Sequence, residues 1–169
     1  MAKSKEQIYI GIDGGNSGAI CVLQGRTILE KIVMPTMPTT DSRNEYDCHK
    51  IIAFLLKYPD AVVVLEKAHA MPKLGTVQAF NFGKGFGMMI GILAALKMRH
   101  HIVHSRTWQT MLFRDQPHGD TKKASRVVAQ RLFPGENFLP TAKSKKLHDG
   151  LTDATLIAYF GQNHLYGNR

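Results

Sequence analysis

Four acidic residues sit where a chain seldom puts charge, next to apolar runs. Asp13 closes Tyr-Ile-Gly-Ile-Asp (9–13), Glu66 closes Ala-Val-Val-Val-Leu-Glu (61–66), and Asp149 and Asp153 open the segment His-Asp-Gly-Leu-Thr-Asp-Ala (148–154). Asp149 and Asp153 are four residues apart, so on a helix they stack on one face, one turn from each other. Carboxylates that cluster at the ends of buried elements repel one another and resist ionisation. A divalent cation removes both penalties. An all-oxygen donor set suits Mg²⁺ or Mn²⁺ better than zinc. Two such ions, one held by Asp13 and Glu66 and the other by Asp13 with Asp149 or Asp153, could activate water and stabilise the leaving oxygen of an in-line phosphoryl displacement. Each acid also has a local role open to it. Asp13 can form a turn before its glycines, Glu66 can be a surface acid at a strand end, and Asp149 and Asp153 can favour a helix N-terminus.

The elements that must position these acids can be read from periodicity. Tyr9–Asp13 has the pattern of a buried strand, ended by Gly14-Gly15-Asn16-Ser17-Gly18. Ala19–Leu23 and Thr27–Met34 predict two further strands around the turn Gln24-Gly25-Arg26, a meander. Residues 35–44 predict a loop, and Asp47–Tyr58 a helix on the spacing of Ile51, Ile52, Leu55 and Leu56. The unbroken apolar run 61–66 predicts a strand covered on both faces. After a loop at 69–75, residues 76–98 predict a long helix with Gly83, Gly87 and Gly91 on one face. Glycine weakens a helix, so that stripe suggests close approach of another backbone, either the sheet or a second subunit. A short strand at 101–104, a helix at 121–132, a basic loop at 136–146 and a last helix at 149–160 complete the chain. The expected order is β-β-β-α-β-α-β-α-α. It describes one α/β domain over residues 1–169, a mixed sheet with an antiparallel three-strand meander extended by two parallel strands and flanked by helices.

Composition bounds the partners. The 169 residues include 22 Lys+Arg against 13 Asp+Glu, a formal net charge of +9. Residues 1–84 contribute +2 and residues 85–169 contribute +7, so the excess lies in the second half. Such a balance favours a polyanionic partner. No apolar run is long enough to span a bilayer, and the opening Met-Ala-Lys-Ser-Lys-Glu-Gln leaves no room for a targeting peptide. The expected location is therefore the cytoplasm of a bacterium or of a phage-infected cell. Cys21 and Cys48 have no metal-ligand spacing and are expected to be free thiols.

Taken together, Ile-Gly-Ile-Asp-Gly-Gly-Asn-Ser-Gly-Ala (10–19), Val-Leu-Glu-Lys-Ala-His-Ala-Met-Pro (64–72) and His-Asp-Gly-Leu-Thr-Asp-Ala (148–154) resemble the three acidic motifs of RuvC-type Holliday junction resolvases, in particular the phage-encoded and chloroplast branch. Supporting segments are Phe82–Gly87 with Ile90–Leu93, Thr107-Trp108-Gln109 and Arg126–Pro134, so the likeness runs from about residue 8 to 161. The resemblance implies a ribonuclease H-like fold. It also implies a homodimer, possibly joined through the Gly83/Gly87/Gly91 face, that binds a four-way DNA junction and makes paired symmetric nicks with two Mg²⁺ or Mn²⁺ ions per site.

By motif, Asp13, Glu66, Asp149 and Asp153 carry over as catalytic metal ligands. Lys122 or Lys123 matches a basic residue that steadies the scissile phosphate, where a helix N-terminus also favours phosphate. His69 falls in the loop where the family inserts a side chain near the junction centre; an aromatic wedge would be Phe or Tyr, and here it is histidine. Lys73 in the same loop, and Lys143, Lys145, Lys146 and His148, are the expected DNA contacts. Gln109 stands where relatives often have lysine, and Trp108 is expected in the core. Competing readings are another ribonuclease H-like nuclease acting on RNA–DNA hybrid or flaps, a non-catalytic junction-binding protein, and an actin- or sugar-kinase-type phosphotransferase. The last needs a second homologous domain that 169 residues cannot supply.

Overall fold

In the computed structural model, which describes residues 6–40, 44–68, 75–117 and 119–165, strand patterning builds the centre of the molecule. On β1 (Ile8–Asp13), β2 (Ala19–Gln24) and β6 (Val62–Glu66) nearly every position is buried, because alternate side chains feed two different cores. Ile10, Ile12, Ile20, Val22, Val63 and Leu65 face α1 (Cys48–Leu55) and α2 (Thr76–Ala95). Tyr9, Cys21, Leu23, Val62 and Val64 share the opposite core with Trp108 and with residues of the last two helices. Together with β3 (Thr27–Val33) and β7 (His100–Val103) these strands form one sheet of order β3-β2-β1-β6-β7. The first three strands are antiparallel, and β6 and β7 extend them in parallel. This is the predicted mixed sheet.

The helices on the second face are α3 (Ser105–Leu112), α4 (Thr121–Leu132) and α5 (Asp149–Phe160), the last continuing into a π-helical turn at Gly161–Leu165. α5 lies directly on β1, and Gly11 permits it. A Cβ there would stand 2.0 Å from the Ala154 carbonyl oxygen and 2.4 Å from the Ala158 amide nitrogen. Gly150 does the same for the first turn of α5, where a Cβ would meet the Ser17 and Gly18 backbone at 2.7–2.8 Å. These two contacts fix the depth at which α5 delivers its acids to the end of β1.

Three differences from the expected layout have local causes. The loop after β3 contains a two-stranded hairpin, β4 (Thr36–Pro38) and β5 (Asn44–Tyr46), whose strands are too short to leave a periodic signal. α3 was not foreseen, since Trp108 is its one buried residue. The long helix stops at Ala95 rather than residue 98, because Lys97 takes a left-handed conformation (φ 52°) that ends it. Cys21 and Cys48 are both free thiols. Among the described residues no helix is long and apolar enough to cross a membrane. A Cβ built on Gly83, Gly87 or Gly91 meets nothing within 4 Å, so the sheet is not what that glycine face was cut to fit.

Candidate active site

Asp13 is the hub. It ends β1 and pairs in register with Ala19, where the Gly14–Gly18 turn begins its return into β2. Tyr46, at the end of β5, accepts a hydrogen bond from the Gly15 amide at 2.6 Å and braces that turn. Burial, followed by the charges of Asp153, Glu66 and Asp149, holds the Asp13 carboxyl well above the usual carboxylate range. The Asp13 and Glu66 carboxyls interact directly, which adds to the upward shift of Asp13. Glu66 ends β6, the parallel neighbour of β1, opposite Val103 of β7. It also accepts a hydrogen bond from the Trp108 indole at 3.1 Å.

The other two acids come from α5 and are held by α4. Ser125 donates its hydroxyl to Asp153. Arg126 donates to Asp149 Oδ1 through Nε at 2.7 Å and Nη2 at 2.5 Å, and Lys122 Nζ lies 3.8 Å from Asp149 Oδ2. Burial pushes the Asp153 carboxyl up to about 7, with the Ser125 hydrogen bond opposing the shift. Lys122, Ser125 and Arg126 fall at i, i+3 and i+4, one face of a helix. That spacing was available in the sequence; the identity of the surface it faces was not.

All four predicted acids thus interact around the end of β1. Among the described residues, however, no three Asp, Glu, His or Cys side chains close around one point as a ready metal cage. Asp149 is turned toward Arg126, and Glu66 toward the Trp108 indole. The donor chemistry nonetheless fits divalent cations. The donors are all oxygen, and a cation would relieve the mutual repulsion of the clustered carboxyls. Asp13 meets three like charges there, and each of them raises its affinity for positive charge.

Two cavities meet at Asp13. One, of about 540 Å³, is walled by Glu66, the Gly14–Gly15 turn, Tyr46, Phe82, Phe86, Met89 and Lys122. The other, of about 660 Å³, is walled by Lys122, Lys145, Lys146, His148, Asp149 and Asp153. Lys122 therefore reaches both. Lys123 lines neither, and its backbone amide donates to the Asp120 cap of α4. Lys143 is exposed and lines neither cavity. His148 is spent partly as a helix cap: Nδ1 accepts from the Leu151 amide at 3.3 Å, and burial lowers its pKa. Gln109 lines a separate groove between α3 and α4. Trp108 is fully buried, as expected, but its bond to Glu66 was not foreseen. His69 and Lys73 lie outside the described residues.

A five-stranded 3-2-1-6-7 sheet with helices on both faces and acids at the ends of the third and fourth strands in spatial order is a ribonuclease H-like fold of the RuvC type. No protein-family model and no curated protein matches the chain. Solved structures do. Thermus thermophilus RuvC in complex with a Holliday junction substrate superposes with a TM-score of 0.63 at 12% identity, covering 95% of this chain and 93% of that one. A second Thermus thermophilus RuvC structure gives 0.57 at 12% identity, covering 92% and 96%. The yeast mitochondrial Holliday junction resolvase Ydc2 gives 0.55 at 12% identity, covering 95% and 81%. At this identity the likeness establishes the fold, over nearly the whole length of each chain.

Proposed function

We propose that this protein is a metal-dependent, structure-specific endodeoxyribonuclease that resolves four-way DNA junctions by paired symmetric nicks. One observation carries the reading: in a RuvC-type fold, Asp13 faces three further carboxylates from β6 and α5 at the junction of two cavities, one of them walled by lysines. Two solved structures of this fold are a RuvC in complex with a Holliday junction substrate and a mitochondrial Holliday junction resolvase.

Asp13 and Glu66 would hold one Mg²⁺ or Mn²⁺, and Asp13 with Asp149 or Asp153 a second. When bound, such ions supply an activated water and charge for the leaving oxygen. The remaining work falls to the chain. Lys122, reaching both cavities, would steady the scissile phosphate. Lys145 and Lys146 would hold the flanking backbone as phosphate contacts that position without reading sequence. Arg126 and Ser125 would keep the two α5 acids aimed at the same place.

Symmetric nicking needs two sites related by a two-fold axis, and a homodimer supplies them. The open Gly83/Gly87/Gly91 face of α2 is the proposed contact. Gly87→Ala separates the possibilities. On a solvated helix face it should stabilise the protein by about 1 kcal/mol, whereas at a close helix–helix contact it should weaken the dimer measured by sedimentation.

The activity is tested by incubating the protein with a mobile four-way junction, a linear duplex and an RNA–DNA hybrid, with Mg²⁺ or EDTA. Paired nicks confined to the junction and abolished by EDTA are expected. Preferential cleavage of the hybrid would favour another ribonuclease H-like nuclease and overturn the junction assignment.

A further inference from the structure

The chain has a single tryptophan. Trp108 is completely buried, and its one polar atom is aimed at a carboxylate of the acid cluster. Nε1–H donates to Glu66 Oε1 at 3.1 Å. A buried indole needs an acceptor, because its N–H can only donate. Glu66 needs an anchor just as much, since it ends a strand and its side chain has several torsions to fix. The β7–α3 connection meets both needs. Val103 pairs beside Glu66, α3 starts two residues later at Ser105, and its first turn brings Trp108 back over the end of β6. Phe113 packs edge-on against the indole, with ring centroids 5.4 Å apart and planes at 80°. The Glu66 carboxylate is therefore anchored by the indole while it feels the charge of Asp13.

We propose that Trp108 is a positioning residue for Glu66. Its N–H fixes the carboxylate in the orientation that holds a divalent ion with Asp13, and as the lone tryptophan it reports on that ion through its emission. This rests on the metal reading of the site given above. Partners that orient a ligand from behind commonly set metal affinity by tenfold or more. The indole achieves this without carrying charge into a cluster already crowded with it.

The test uses the full chain and metal alone. Mn²⁺ affinity is measured for the wild type, for protein with benzothienylalanine in place of Trp108, for Trp108→Phe and for Phe113→Leu. Benzothienylalanine keeps the ring shape and lacks the N–H, so it removes the hydrogen bond without opening a cavity. Both position-108 replacements are expected to bind Mn²⁺ about tenfold more weakly, while Phe113→Leu keeps the wild-type affinity. Mg²⁺ titration of the wild type is expected to change Trp108 emission with the same midpoint as binding. Unchanged affinity in the benzothienylalanine protein overturns the proposal, as does an equal loss in Phe113→Leu, which would assign the effect to packing. A wild type that binds no Mn²⁺ would instead overturn the metal reading itself, and this proposal with it.

Discussion

Asp13 and Glu66 reach the site on strands, Asp149 and Asp153 on a helix, and the two pairs are supported in opposite ways. The strand pair sits at the ends of adjacent parallel strands whose backbones cannot move apart without breaking the sheet. It receives one neutral donor, the indole of Trp108. The helix pair is tied to α4, by the cation of Arg126 on Asp149 and the hydroxyl of Ser125 on Asp153. The surroundings divide along the same line. Phe82, Phe86 and Met89 wall the cavity beside Glu66, while Lys145, Lys146 and His148 wall the one beside Asp149 and Asp153. The strand pair thus forms a rigid side with aromatic walls, and the helix pair a charged side suited to meeting a DNA backbone. Asp13 belongs to both.

The largest effect should follow from removing the shared member. Asp13→Asn is expected to lower metal-dependent cleavage by about three orders of magnitude or more, with junction binding retained in Mg²⁺-free buffer. Cleavage within tenfold or so of wild type would break the idea that one residue serves both sides.

A stability effect of opposite sign comes next. The Asp153 carboxyl is raised to about 7 by burial, from an ordinary value of 3.8. Between those values the folded protein holds a proton that the unfolded chain has released, so metal-free stability should fall as pH rises from about 4 to 7 and level off above. Asp153→Asn can still accept from Ser125 and should flatten that fall, gaining on the order of 2 kcal/mol at pH 8. Denaturant melts of the two proteins at pH 4.5 and pH 8 check both points. Equal stability at pH 8 would mean that the helix pair carries no electrostatic strain.

Arg126→Gln should act the other way. It leaves Asp149 without its closest cation, at a cost of about 1–2 kcal/mol for a pair that is 28% exposed on each side. The smallest effect concerns DNA. Charge reversal at Lys145 and Lys146 should weaken junction binding and reduce its salt dependence by about one unit of slope per lost phosphate contact, whereas Lys143→Glu, outside the cavity, should do less. Equal effects of all three would mean that the basic loop acts as a diffuse charge and not as a wall of the site.

The division between the two pairs also marks what could be read from residues alone. Asp13 and Glu66 were legible because a buried strand announces itself by an apolar run, and an acid at its end has few other reasons to be there. The sheet followed from the same runs. The motif placed Asp149 and Asp153, but their partners are non-local. Ser125 and Arg126 gain their roles only when α4 packs on α5, and Gly11 and Gly150 gain theirs only when α5 settles on β1. Trp108 read correctly as core, yet a buried indole gives no hint in sequence of where its N–H points. α3 is silent in sequence for a related reason, since a helix with one buried residue leaves no periodic trace.

The central claim is that Asp13 is shared by two ions, one on each side. Mn²⁺ bound per chain, measured by electron paramagnetic resonance of the free ion, tests it directly. Two Mn²⁺ per wild-type chain, loss of both in Asp13→Asn and loss of one in Glu66→Gln are expected. Wild-type Mn²⁺ binding retained by Asp13→Asn would contradict the account.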